Sequence, residues 1–399
     1  MGSSNQKGKK FQDTSKYGDI YFKIDKTSYY AGDTVSGSIY INLRQSYPGN
    51  KLFLKFKGKE TVHIALEDES KDDGIYHMYS DSRNLLKFNM PVYSWETLIP
   101  GQYVIPFAFS LPFELAPSFY QQGNCYAGLI EYKMEAFIQP FNEKDPKLKY
   151  KEKMTIRESV KNAQEKKQSE ITTKLECCCC CPKGSNHLKV NFEKNYYSSG
   201  ETANVAIELN NSQSNLSNEK IVFALKQNLR LTAKNKTYWT TLPIVKDKLP
   251  GVKAHTLSNA GSLKITLPEN GVNGPLIDMK NPKKFELMNL PQETKFLSSS
   301  TQGSLITSHY FLEVSCPMGG CCTLAPKIEC PIEIYYPESK YPDLNAPHGW
   351  SPETLPVVNI AFPFTMQQPN MNPAMGNKMG MIGGNMDPQY GGNISKNYV

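Results

Sequence analysis

The chain carries one pattern twice, in the same order. Tyr29-Tyr-Ala-Gly-Asp-Thr-Val35 returns as Tyr197-Ser-Ser-Gly-Glu-Thr-Ala203, with Gly32 facing Gly200. Lys51-Leu-Phe-Leu-Lys-Phe-Lys57 returns as Lys220-Ile-Val-Phe-Ala-Leu-Lys226, and Phe107-Ala-Phe-Ser-Leu-Pro112 as Leu263-Lys-Ile-Thr-Leu-Pro268. Tyr132-Lys-Met-Glu-Ala136 returns as Tyr310-Phe-Leu-Glu-Val314. Agreement in both content and order means a duplicated structural unit. The unit is built for strands. A Gly-acid pair ahead of an alternating run supplies a turn, because Gly tolerates positive φ and the acid stays solvated. A Leu-Pro pair ends a strand, because proline has no N–H for a further ladder bond.

Between the repeated elements the texture is strand, turn, strand. Val35–Leu43, Leu52–Phe56, Val104–Leu111 and Ile130–Ile138 are apolar or alternating runs separated by Gly, Pro, Asn and Asp. Such spacing predicts an all-β fold of two tandem immunoglobulin-like β-sandwich domains with disordered termini. At 399 residues, with 39% hydrophobic and 21% charged residues, the chain has material for two packed cores. The expected organisation is a flexible basic arm at 1–16, a sandwich at 17–158, a polar linker at 159–181 ending in cysteines, and a second sandwich at 182–338. A Pro-rich segment and a disordered Met/Asn/Gly-rich tail at 339–399 complete it; after Met366 there is no apolar periodicity with which to bury a core.

These elements resemble the arrestin superfamily, and within it the arrestin-domain-containing, α-arrestin-like branch. The resemblance runs from about Ile20 to Tyr336. It rests on the Tyr-x-x-Gly-acid turn, on Gly101-Gln-Tyr-Val-Ile-Pro-Phe-Ala-Phe-Ser-Leu-Pro112, on Pro117-Ser-Phe119 and on Ile130-Glu-Tyr-Lys-Met-Glu-Ala136. It implies the arrestin fold and a non-catalytic adaptor or scaffold. The implied partners are cytoplasmic tails of membrane proteins together with trafficking and ubiquitination machinery, in protein transport, endocytosis or signalling. A constitutive, coat-like subunit of the retromer type is the alternative. The Pro-Pro-x-Tyr motif through which many α-arrestins recruit ubiquitin ligases is not intact; the tail offers Asp387-Pro-Gln-Tyr390.

Cysteines are the densest chemical signal. Cys177-Cys-Cys-Cys-Cys181 precedes Pro182-Lys-Gly184, and Cys316-Pro-Met-Gly-Gly-Cys-Cys322 falls where a hairpin should join the last two strands of the second sandwich. Both contain Cys-Pro-x-Gly, a turn that lets backbone N–H groups face sulfur. In an immunoglobulin-like sandwich the start of the first strand and the final hairpin share one end. Four thiolates drawn from Cys177, Cys178, Cys180, Cys181, Cys316, Cys321 and Cys322 would make a closed tetrahedral zinc site. Palmitoylation of the Cys177–Cys181 run and idle free thiols are the competing readings. No cofactor is required for the fold, and structural zinc is the one candidate.

Met1-Gly-Ser-Ser-Asn-Gln6 begins like a myristoylation signal at Gly2, with Gln in place of Ser or Thr at the sixth position. Lys7, Lys9 and Lys10 follow, so an acyl chain plus basic residues, or simply a soluble arm, are both open. The chain shows neither a signal peptide nor an 18-residue apolar run, so a cytoplasmic protein is expected, with peripheral contact at the plasma membrane or endosomes as an option. Its net charge of +7 is mild and argues against a nucleic-acid partner. No H-E-x-x-H, G-x-S-x-G or P-loop occurs, and the histidines are scattered, so no enzyme is read.

Overall fold

The computed structural model describes residues 16–67, 76–123, 125–177, 181–268, 297–319, 325–335 and 342–360. The first repeat supplies β1 (Gly18–Ile24), β2 (Ser28–Tyr30), β3 (Thr34–Leu43), β4 (Lys51–Glu67), β5 (Tyr76–Ser94), β6 (Gly101–Ser110), β7 (Phe119–Gly123), β8 (Tyr126–Gln139) and β9 (Leu148–Arg157). The second supplies β10 (Glu165–Cys177), β11 (Cys181–Lys194), β12 (Tyr196–Ser198), β13 (Thr202–Asn210), β14 (Lys220–Ala233) and β15 (Lys236–Pro250). It continues with β16 (Leu257–Thr266), β17 (Thr301–Gln302), β18 (Ile306–Ser315) and β19 (Lys327–Tyr335), and β20 (Glu353–Thr354) and β21 (Val358–Asn359) close the list. Among the described residues there is no helix, and hence none long and apolar enough to cross a membrane.

Each repeat is a pair of sheets. In the first, β1-β3-β6 faces β2-β9-β8-β4-β5, with β7 also on β8. In the second, β10-β11-β13-β16 faces β12-β19-β18-β14-β15, with β17 on β18. The burial of alternate residues explains the arrangement. Leu52, Leu54 and Phe56 of β4 are buried between the outward Lys51, Phe53, Lys55 and Lys57, as expected of a strand with one face on the core.

The repeated turns coincide bond for bond. Gly32 (φ +85°) and Gly200 (φ +76°) both sit in the left-handed region, where a side chain would be strained. The Gly32 N–H donates to the Pro112 carbonyl at 3.0 Å, and the Gly200 N–H to the matching Pro268 carbonyl at 3.3 Å. The acid that follows each glycine reaches back to a backbone N–H: Tyr30 to Asp33 at 3.0 Å, Ser198 to Glu201 at 2.8 Å. Tyr29 and Tyr197 are both wholly buried, as are Tyr132 and, very nearly, Tyr310. The duplication is therefore physical, and the tandem β-sandwich architecture is the one the sequence predicts.

Two expectations need correction. The segment 159–181 is not a linker throughout, because Glu165–Cys177 forms β10, the edge of a sheet, paired antiparallel with β11 from Glu165↔Lys194 to Cys177↔Cys181. Of its side chains outside Cys177, Leu175 alone is buried, so no apolar stripe marks it; its ladder bonds come from a neighbour the local sequence does not name. A charged, polar edge also resists pairing with other chains. The segment after the second sandwich is not featureless either: β20 and β21 return to the first sandwich. The arm at 1–15 and the tail from 361 lie outside the described residues.

Candidate functional site

β6 is an edge strand. Ile105, Phe107 and Phe109 point into the first core, which leaves its outer backbone groups as a template for another strand. Two short stretches of the same chain occupy that template in parallel orientation: Glu353↔Tyr103 and Thr354↔Val104, then Val358↔Phe107 and Asn359↔Ala108. The Leu355 N–H donates to the Val104 carbonyl at 2.9 Å, and the Ile360 N–H to the Ala108 carbonyl at 2.8 Å. Pro352 and Pro356 explain why each stretch is short, because proline is confined to sheet edges and cannot donate.

The docked segment also covers an aromatic patch. Tyr21 and Tyr40, cross-strand neighbours on β1 and β3, stack with ring centroids 4.9 Å apart, and Trp350 meets Tyr21 edge-on at 5.5 Å. Ala346 and Trp350 pack on the cluster of Tyr21, Tyr40 and Val104. Polar contacts hold the strap down: the Tyr40 hydroxyl donates to the Leu344 carbonyl, Lys23 Nζ to the Asn345 carbonyl at 2.6 Å, and the Ser351 N–H to Gln102 Oε1 at 2.8 Å. Burial pushes both phenols above their usual value, with Tyr40 adding to the effect at Tyr21, so both remain neutral donors. The Tyr21 hydroxyl is buried without a hydrogen-bond partner among the described residues.

A second buried arrangement joins the sandwiches. Glu60 on β4 is fully buried, and its carboxyl accepts the N–H groups of Ser304 (3.0 Å) and Ile306 (2.8 Å) from the second sandwich. Burial raises its proton affinity, opposed by those N–H groups and by Arg83. Gln121 and Gln227 exchange reciprocal side-chain bonds of 2.8 and 2.7 Å across the same interface, and Gln227 Nε2 also donates to Ser308 Oγ at 2.8 Å. Leu229, Leu231, Ala233, Leu305 and Ile306 belong to the first sandwich's core cluster although the second sandwich contributes them.

Two family models match these two units. Residues 18–168 match the arrestin (or S-antigen) N-terminal domain, and residues 182–339 match the arrestin (or S-antigen) C-terminal domain. The chain belongs to the arrestin superfamily. A curated relative is arrestin domain-containing protein A of Dictyostelium discoideum, 23% identical over 363 residues that cover 83% of this chain. The chain spans 56% of that relative's length.

In this arrestin-family chain the described members of the two cysteine clusters, Cys177, Cys181 and Cys316, lie at the same end of the second sandwich. The backbones of Cys177 and Cys181 pair at the turn end of the β10–β11 hairpin, and Cys316 opens the connection from β18 to β19. The loop Asn211–Glu219 touches both. The Asn215 N–H donates to the Lys183 carbonyl at 2.8 Å, and the Glu219 N–H donates to the Pro317 carbonyl at 3.0 Å. Cys181 is exposed, whereas Cys316 is fully buried in the second core, where burial pushes its thiol up to about 12. A neutral, enclosed thiol is a core residue before it is a ligand, because a metal needs the thiolate. Cys178, Cys180, Cys321, Cys322 and Gly2 lie outside the described residues. Among the described residues no three His, Cys, Asp or Glu groups are placed to hold a metal.

The returning strap and the Glu60 contact were missed from sequence. The strap had a local signal in the apolar run Leu355-Pro-Val-Val-Asn-Ile360, broken by a proline as an edge strand can be. Glu60 had none, because one acid within a run of lysines reads as surface.

Proposed function

We propose that the protein is a non-catalytic cytoplasmic adaptor that takes extended segments of other proteins as an added strand on β6. The observation that carries this reading is the pairing of residues 353–360 with that edge. An edge that holds one extended segment through backbone bonds, beside an aromatic patch, has the chemistry for holding another. The superfamily's adaptor character supports the reading, and cytoplasmic tails of membrane proteins or trafficking machinery, in transport or endocytosis, are the partner class it favours. On this reading the strap must leave before a partner enters, so partner affinity is reduced by the fraction of molecules whose edge is covered.

The test compares the full chain with a Leu355→Pro, Ile360→Pro variant, which removes the two N–H donors while leaving both sandwiches intact. Binding of fluorescent peptides from cytoplasmic tails of membrane proteins is expected to tighten by about tenfold in the variant. Equal binding by both proteins, with the strap shown to be released, would rule β6 out as the docking edge. A stoichiometric complex that survives purification unchanged would instead support the coat-like alternative.

A further inference from the structure

The outward face of the sheet β9-β8-β4-β5 carries a row of like charges. Lys153, Lys133, Lys57 and Lys87 lie directly opposite one another across the four strands, through the pairs Lys133↔Lys153, Lys57↔Lys133 and Lys57↔Lys87. Adjacent rows on the same face add Lys151 and Lys55 on one side and Lys59 on the other. Glu131 and Glu135 are the acids on this face; they pair with Lys133, with Lys153 at 3.6 Å, and with Lys55 at 3.8 Å. Like charges directly opposite in a sheet are destabilising, and on this face the lysines outnumber the acids that pair with them. Burial and then its neighbours Lys59, Lys55, Lys87 and Lys151 lower the proton affinity of the Lys57 ammonium.

The next row is aromatic. Phe53 and Phe137 stack at 5.4 Å, and Lys147 Nζ lies 5.3 Å from the centre of the Phe137 ring. Two residues past the end of β8, Phe141 is 73% exposed. Four strands at about 4.8 Å spacing make the lysine row roughly 14 Å long on an open sheet face. Lysines there are mobile point charges, without the forked guanidinium geometry that fixes a single phosphate.

We infer that this face docks on an anionic lipid surface, the lysine row meeting the headgroups and Phe141 entering the boundary below them. Charge complementarity selects the occupant. A broad, flat cationic field bordered by exposed aromatic carbon matches a membrane interface, while a phosphorylated peptide needs a groove to set its direction. This surface lies on the sheet opposite β6, so it is independent of the adaptor reading.

The experiment is vesicle co-sedimentation of the full chain with phosphatidylcholine alone and with about 30% phosphatidylserine added. Binding is expected to the anionic vesicles and not to the neutral ones, and to weaken with salt. Neutralising Lys57, Lys87 and Lys151 to Gln is expected to lower partitioning on the order of a hundredfold, since each lysine near a charged surface contributes several-fold. Phe141→Ser should cost a further few-fold. A variant with Lys7, Lys9 and Lys10 changed to Gln should keep most of the binding, which separates this face from the N-terminal arm. The triple lysine variant should melt no lower than the parent, because it relieves repulsion. Unchanged vesicle binding in that folded variant, or none by the parent, overturns the inference. Binding to a soluble phosphopeptide but not to vesicles, lost in the same variant, overturns it in favour of a phosphoprotein partner. Peptide binding at β6, measured on the same proteins, should not change.

Discussion

Glu60 shows what a single buried carboxyl can be made to do. It reaches from one sandwich to the start of β18 in the other, where it accepts the N–H groups of Ser304 and Ile306. Glu60→Ala is expected to destabilise by about 2–4 kcal/mol, since it strands buried N–H groups. Glu60→Gln keeps a carbonyl acceptor and should cost much less; chemical denaturation measures both. The pH dependence has a definite sign. Burial raises this carboxyl, so between the unfolded value near about pH 4.3 and the raised folded value the native protein holds a proton that the unfolded chain has released, and stability falls as pH rises through that window. Glu60→Gln should remove that slope. Tyr21 gives the opposite kind of prediction: its hydroxyl is buried without a partner, so Tyr21→Phe should leave stability unchanged or raise the thermal midpoint by the equivalent of about 1 kcal/mol. At Cys316, elemental analysis of the reduced chain and of Cys316→Ala decides between core and ligand. Equal metal content, with stability lowered by about 1–2 kcal/mol, is the outcome that its burial predicts.

Among the elements, the long strands were legible and the edges were not. Alternation along Leu52–Phe56 identified β4, and the Ile130–Ile138 run identified β8, because each must bury one face whatever its neighbours are. Strand β10 has no apolar stripe to announce it, and the β20–β21 strap only a short apolar run broken by proline; their hydrogen bonds exist because β11 and β6 offer unpaired backbone. The same logic predicts how the strap behaves. Its grip combines backbone pairing, the polar contacts of Tyr40, Lys23 and Gln102, and Trp350 on Tyr21, so Trp350→Ala should raise amide exchange along Tyr103–Ala108 several-fold without moving the global transition. Faster exchange across β3 and β4 as well would mean that the strap is part of the core.

Across the whole molecule, the two sandwiches share a core. Leu231 is fully buried and packs with first-sandwich residues, and Gly128 lacks a side chain where Leu231 and Ile306 press to within 3.1 and 3.2 Å of where a Cβ would stand. Tyr126 stacks on Tyr238 across the same boundary at 5.1 Å. Both sandwiches are therefore expected to unfold in one transition, and Leu231→Ala to lower stability by about 2–5 kcal/mol while raising exchange in β8. Two separate transitions in the parent chain would contradict this coupling.

The duplication, the strand character of each repeat and the turns that punctuate it were determined by sequence alone, because hydrophobic alternation and Gly-acid turns act over a few residues. The expectation that Cys181 and Cys316 share one end of the second sandwich came from the strand order of an immunoglobulin-like fold, which dictates which loops are neighbours. Tertiary structure alone decided that Cys316 is enclosed, that Glu60 binds the other sandwich, that four lysines from four strands line up in one row, and that residues 353–360 lie along β6. Each of these depends on register between segments far apart in the chain, and register is set by packing, which no local pattern encodes.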